Sequence, residues 1–345
     1  MIIIKQKRGF HMSTKQVRMF IAVILLLTFS LLAACGSTGG VEATESAPAA
    51  TEPTESESAE QAATIATEAA TRIYKDFGGH EVAIPTHPQK IVLLGDIPGD
   101  LLALGITPAG NDWVNEPYIY KDDLVGVVDI GYPHNMEKVL ELAPDLILQA
   151  GYGGPDDTEI FEKMSKIAPT VIFNRDAATF DRLREVADIV NKKQEAEDWI
   201  ASYEIKAKAM WDKIGLKPEE SATVYLSLAG DFYVMGNFSL TMSLYQSGGF
   251  SPSAKVQELI DKKEVFSLIS MEVLPDYAGD HVFLLSSPGT DDEVEAKKLM
   301  EGPLWKSIPA VKNNQAYTAD ISWNASDPIT MERFLDELPK MMGMK

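Results

Sequence analysis

Two glutamates in matching surroundings are the residues whose type and spacing ask most directly for a chemical reading. Asn135-Met136-Glu137 is followed by Val139-Leu140 and then by Pro144-Asp145-Leu-Ile-Leu. Ser270-Met271-Glu272 is followed by Val273-Leu274 and then by Gly279-Asp280-His-Val-Phe-Leu. Each Glu precedes its Asp by eight positions, and each Asp opens an apolar strand run. A capping residue two places ahead puts each Glu in the first turn of a helix, where the dipole favours a carboxylate. Singly, that is a stabilising glutamate worth about 0.3–1 kcal/mol. As a pair on two related units, the two are exposed handles for a partner with basic sockets. Catalysis finds no comparable footing. The chain has no Ser-x-x-Lys, Gly-x-Ser-x-Gly, His-Glu-x-x-His or Gly-x-x-x-x-Gly-Lys. Beyond the N-terminal segment its histidines are His80, His87, His134 and His281, too scattered for a triad or for a bare zinc or manganese site. No enzyme is expected; an exported hydrolase is the remote rival.

The single cysteine, Cys35, closes a different pattern. Lys5, Lys7, Arg8, Lys15 and Arg18 precede an apolar run, Met19 to Ala34, interrupted only by Thr28 and Ser30. A basic region, a short apolar region and small residues before a cut site mark an export signal. The run is shorter than the roughly 20 residues that span a bilayer core. Its ending, Leu32-Ala33-Ala34-Cys35, resembles the bacterial lipobox, which implies lipidation of Cys35 and cleavage before it. Translation from Met12 gives a signal of more ordinary length. A diacylated cysteine carries two acyl chains, enough for stable anchoring. The expected segments are a signal peptide at 1–35 and a linker at 36–71. That linker is Ala, Thr, Ser and Glu, with seven glutamates and no Lys, Arg or aromatic, so it reads as a disordered, self-repelling stalk. The net charge of −20 for the whole chain becomes more negative once the cationic signal is removed, which excludes nucleic acid as a partner.

The elements behind the glutamates alternate in type. Ile91–Leu94, Asp145–Gln149 and Thr170–Phe173 read as buried strands, with a short helix from Gly99 to Leu104. A helical stripe through Trp199, Tyr203, Ala207, Met210 and Ile214 follows, ended by Gly215 and Pro218. Strand signals resume at Ala222–Leu226, Phe232–Met235 and His281–Leu285. The fold class is therefore α/β: two Rossmann-like α/β lobes, at 72–192 and 215–345, joined by one long helix at 193–214, with a ligand cleft between them.

In open α/β sheets, ligands sit outside the carboxyl ends of the strands. That rule selects the loops 95–98, 111–113, 151–155, 174–176, 230–237, 286–289 and 320–326, which supply Trp113, Tyr152, Arg175, Tyr233 and Trp323. Aromatic faces with one Arg suit a bulky, partly anionic ligand. Arg175 directly follows a strand, where an unpaired buried Arg would be costly. His281 lies inside a strand and reads as a core histidine.

From about Arg72 to Met342 the chain resembles the iron-siderophore and cobalamin class of periplasmic-type binding proteins, the substrate-binding lipoproteins of ABC importers. The resemblance is carried by Pro88-Gln-Lys-Ile-Val92, Leu104-Gly-Ile-Thr-Pro108, Pro144-Asp-Leu-Ile147, Ile167-Ala-Pro-Thr170, Leu274-Pro-Asp-Tyr-Ala-Gly-Asp280 and Pro303-Leu-Trp305 with Ile308-Pro-Ala-Val-Lys312. It implies that Glu137 and Glu272 dock onto arginines of two permease subunits. It also implies a ferric siderophore as ligand, with iron bound only inside that complex and no resident cofactor or metal site. The ending Asp320-Ile-Ser-Trp-Asn-Ala-Ser-Asp-Pro-Ile-Thr330 resembles siderophore-binding members. With Arg175 the one cation in the candidate loops, a hydroxamate or mixed citrate-type ligand is preferred to a trianionic catecholate. Cobalamin and haem are the alternatives; haem would need an axial ligand, for which Met235 and His134 are available. The expected whole is a monomeric lipoprotein, palmitoylated or otherwise acylated at Cys35. It is expected on the extracellular face of a cell membrane, in a Gram-positive host.

Overall fold

A computed structural model describes residues 70–116 and 119–344, all within one compact unit, Thr67–Lys345. Cys35, the signal segment and stalk residues 36–69 lie outside the described residues. Thr71, placed in the stalk by composition, is the first residue of a hairpin strand, β1 (Thr71–Lys75), paired antiparallel with β2 (Glu81–Pro85).

Lobe one is a five-stranded parallel sheet, β3 (Ile91–Leu94), β4 (Gly110–Asn111), β5 (Val128–Asp129), β6 (Leu146–Gly151) and β7 (Thr170–Asn174), in the order β5-β4-β3-β6-β7. Strand side chains alternate between faces. Ile91, Leu93 and Leu148 enter one buried cluster with Val171, Phe173 and Leu183. Val92, Leu94 and Ile147 enter another with Val139 and Met164. A sheet covered on both faces needs such unbroken apolar strands.

Lobe two contains β8 (Ser221–Leu228), β9 (Asp231–Met235), β10 (Ser251–Pro252), β11 (Phe266–Ile269), β12 (His281–Ser286) and β13 (Ala316–Asp320), in the order β11-β9-β8-β12-β13 with β10 on β8. Strands β8, β12 and β13 are parallel, whereas β9 runs antiparallel to β8 and β11 antiparallel to β9.

The lobes are joined by the helix Lys193–Ile214, 22 residues capped by Gly215 in the left-handed conformation. At 1.5 Å per residue it is about 33 Å long, enough to cross both lobes. Its Ala196 and Ile200 pack in the lobe-one core, and its Tyr203, Ala207, Met210 and Trp211 in the lobe-two core. Trp199 packs on both cores and stacks on Tyr203 at 5.4 Å between centroids.

The internal repeat is visible as a shared backbone clamp. Asp145, at the start of β6, accepts from Gln89 N (2.7 Å) and Lys90 N (2.8 Å) just before β3. Asp280, at the start of β12, accepts from Ser221 N (2.9 Å) and Ser221 Oγ (2.7 Å) at the start of β8. The helix-start half of the repeat diverges. Asn135 Oδ1 accepts from Glu137 N and Lys138 N at 3.1 Å each, opening the helix Met136–Leu142. Ser270 makes no such cap, and Glu272 lies in a 3₁₀ turn, Met271–Val273, ahead of the short helix Leu274–Tyr277. Pro275 has no N–H to bond the Met271 carbonyl four residues back, so the tighter turn, closed by Leu274 N to Met271 O, takes its place.

Candidate functional site

Three of the five candidate ligand residues meet at the carboxyl ends of β3, β4, β6 and β7. The strand order reverses direction about β3, and the crevice there is where doubly wound sheets bind ligands. Gly95 leaves β3 at φ 77°, a conformation open to glycine, and its N–H donates to both oxygens of Asp112 at 3.0 Å. Asp112 also bonds His134 Nε2 at 3.0 Å. Asn111 Nδ2 donates to Leu93 O and Asp96 O, and Trp113 N donates to Asn111 Oδ1 at 3.0 Å. The loops after β3 and β4 are thus tied together, and Trp113 is held by its own backbone. From β6, the Tyr152 hydroxyl donates to Gly95 O at 3.0 Å, while Tyr152 N and Gly153 N donate to Asp157 Oδ2 at 2.8 Å.

Arg175, one residue beyond β7, lies over both rings, its guanidinium carbon 5.0 Å from the Tyr152 centroid and 5.6 Å from that of Trp113. Its Nε is 3.3 Å from Asp96 Oδ1 and its Nη1 3.8 Å from Asp176. Half of Tyr152 is open to solvent, but its hydroxyl end is desolvated, and this burial, against the opposing pull of Arg175, raises the phenol to about 12. The phenol therefore stays protonated and the group presents donors and ring faces. Such a combination has the chemistry to suit an oxygen-rich, partly apolar molecule.

Beneath this group a buried ionic cluster ties the lobes. Arg182 Nε donates to Asp100 Oδ2 at 2.7 Å, its Nη1 to Arg175 O and its Nη2 to Ser326 O, the last two at 3.4 Å. Thr179 Oγ1 also donates to Ser326 O, at 2.8 Å. Asp327 begins the helix Pro328–Met341 and accepts from Thr330 N and Oγ1. Gly99 sits so close to Asp327 that a Cβ would fall 1.9 Å from Oδ1, so this approach requires glycine. The loop after β13 thus meets lobe one at the helices that follow β3 and β7, and the carboxyl ends of both sheets open on the same interlobe cleft. Burial pushes Asp100 up to about 6 despite Arg182. Burial opposes the charge of Arg182, but the combined fields of Asp100, Asp96 and Asp327 outweigh it and hold Arg182 protonated.

The remaining candidates stand apart. Tyr233 is a correction: it is 8% exposed, within the lobe-two core and edge-on to Phe266. Because β9 runs back against β8, residues 231–235 are strand rather than a cleft loop, and only the turn Ala229–Gly230 stays at the carboxyl end. Trp323, in the turn Ile321–Trp323 after β13, is on the cleft edge, packed on Phe334 at 5.8 Å. Met235 and His134 cannot serve as a haem pair, since Met235 is buried in the lobe-two core and His134 holds Asp112. His281 is a core histidine, with Nε2 2.9 Å from Glu220 and Nδ1 3.0 Å from Tyr317. Among the described residues no cluster of three His, Cys, Asp or Glu has metal-holding geometry.

Glu137 and Glu272 are exposed. Each follows the edge strand of its sheet, β5 or β11, and since β11 is parallel to β8 both lie on cleft-bearing edges. Sequence reasoning missed Asp96, Asp112, Arg182 and Asp327. Asp96 follows directly on Gly95 and could have been found as a strand-end partner for Arg175, and Asp327 ahead of Pro328 and Thr330 carries a helix-cap signal, but Arg182 pairs with Asp100 across 82 residues and Asp112 with His134 across 22, which no local pattern announces. Two surface hollows, about 520 Å³ against Glu81–Ala83 and Phe161 and about 390 Å³ against His87–Gln89 and Gly105–Thr107, do not include the Arg175 group.

The profile of the Periplasmic binding protein family matches residues 91–321. The chain is 33% identical over 326 residues to the iron(3+)-hydroxamate-binding protein FhuD of Bacillus subtilis, covering 91% of this chain and 94% of that one. It is 31% identical over 280 residues to the iron(3+)-hydroxamate-binding protein YxeB of the same organism, covering 79% and 85%. A FhuD fold-family periplasmic binding protein component of a Fep/Fec-like ferrichrome ABC transporter from Bacillus subtilis superposes with a TM-score of 0.68 at 31% identity, over 78% of this chain and 99% of that one.

Proposed function

The chain belongs to the Periplasmic binding protein family, and from that membership and the Arg175 group we propose that it captures a ferric siderophore, with a hydroxamate favoured, for an ABC importer. The observation that carries this reading is the placement of Arg175 over Trp113 and Tyr152 at the switch point of lobe one. The rings offer faces to the siderophore's carbon frame, and the guanidinium offers donors to the oxygens around iron. Iron enters only as part of the ligand, wrapped in the siderophore's own oxygens. Lipidation at Cys35, an extracellular position in a Gram-positive host and a monomeric state belong to the same proposal.

Delivery is proposed to run through Glu137 and Glu272. Support comes from their matched positions after edge strands and from the apolar side chains beside them. Val128, Tyr132 and Leu140 are exposed near Glu137 in sequence, as are Leu268, Met271 and Val273 near Glu272. Exposed apolar side chains around a carboxylate suit a partner with a basic centre and an apolar rim. The test is equilibrium titration of the purified full chain with ferric hydroxamates, catecholates and citrates, cyanocobalamin and haem, followed by tryptophan fluorescence. Saturable quenching by a ferric siderophore class alone supports the proposal. Response to cobalamin or haem alone overturns it.

A further inference from the structure

The charge around the cleft restricts the ligand more than the presence of an arginine does. Along the carboxyl-end segments 95–98, 111–116, 129–135, 151–157, 174–178, 229–231, 287–293 and 320–327 the one Lys or Arg is Arg175, against thirteen Asp and Glu. Arg175 itself is compensated, with Asp96 3.3 Å from Nε and Asp176 3.8 Å from Nη1. It therefore offers hydrogen-bond donors without an attractive field for an anion. Asp96 is 3% exposed, and in this group one buried acceptor, Asp96 Oδ2, and one buried donor, Arg175 Nε, have no hydrogen-bond partner among the described residues. The faces of Trp113 and Tyr152 add negative quadrupole, which also favours a cation.

We infer that the cleft selects by net ligand charge, taking neutral or cationic ferric hydroxamates and rejecting anionic ferric complexes. This inference rests on the proposed siderophore reading and narrows it. Three monoanionic hydroxamates cancel the ferric charge, so such a complex takes its net charge from its periphery alone. Three dianionic catecholates leave the complex triply negative, and citrate-type complexes keep carboxylates. Each of those would enter a field of its own sign. A peripheral ammonium, by contrast, enters a field of the opposite sign.

The experiment uses one linear ferric trihydroxamate scaffold in three forms: a free terminal ammonium, its neutral N-acetyl derivative and its anionic N-succinyl derivative. Each is titrated into the full chain by fluorescence quenching. The expected order places the cationic and neutral forms at least about tenfold tighter than the anionic form at low salt, with the gap closing at about 0.5 M NaCl. Asp176→Asn, which removes an exposed carboxylate beside Arg175, narrows the gap by about threefold. An anionic form that binds as tightly as the neutral one overturns the charge inference and leaves the siderophore reading intact. Failure of all three forms, with tight binding of a ferric catecholate or citrate, overturns this inference and the hydroxamate preference together.

Discussion

At the scale of single residues, the same side chain type does opposite work in different places. Asp280 is exposed, and the backbone and hydroxyl donors of Ser221 hold its carboxyl below the ordinary range. A depressed folded pKa gives stability that is present above the unfolded value near 4 and lost as pH falls through the folded value. Asp280→Ala is therefore expected to cost about 1 kcal/mol at neutral pH. Urea melts at several pH values check this, and the difference from the parent should shrink towards zero in acid. Asp100 has the reverse sign: burial raises it to about 6, so its proton binding favours the folded state increasingly as pH falls from about 6 towards 4. Trp113, Tyr152 and Arg175 were legible because strand ends can be read from apolar runs followed by glycine or polar residues. Tyr233 was misread because strand direction is not written in an apolar run. Asp112 and His134 were invisible as partners because their bond joins residues 22 apart through loop geometry.

At the scale of elements, the helix Lys193–Ile214 was the most legible part of the chain, since a long stripe at helical spacing has few alternative readings. The buried ion pair Arg182–Asp100 was not legible, because charged residues facing inward look like surface residues in sequence. Arg182→Ala leaves Asp100 and Asp327 buried without their cation, and is expected to cost about 3–5 kcal/mol, measured as a fall in the urea midpoint. The two glutamates make an element-level prediction of another kind. Glu137 is in the first turn of the helix after β5 and Glu272 in the turn after β11, and neither is among the side chains that contact Arg175, so the Glu137→Ala/Glu272→Ala protein should bind ligand within about twofold of the parent and fail in cellular uptake. A large loss of affinity in the purified double variant would remove the docking assignment.

At the scale of the whole molecule, the internal repeat and the bridging helix make two lobes that are separate in topology and joined in packing. The long helix contributes to both cores, and Arg182, Thr179 and Asp327 fasten the lobes where the cleft begins. One cooperative unfolding transition is expected, the same by fluorescence and circular dichroism; two separated transitions would show that the lobes fold independently. Such fastening suits a carrier that closes modestly around its ligand instead of hinging widely. The acidic surface complements this by leaving recognition to shape, ring faces and donors. Arg175, braced by Asp96 over Trp113 and Tyr152, is proposed to hold the ferric complex, and the decisive measurement is titration of the parent and Arg175→Ala chains with one ferric trihydroxamate. Saturable tryptophan quenching is expected for the parent, with a loss of at least about tenfold in affinity for the variant, the effect of removing a charged donor from a partly buried site. Equal affinities in the two proteins would remove Arg175 from the ligand site.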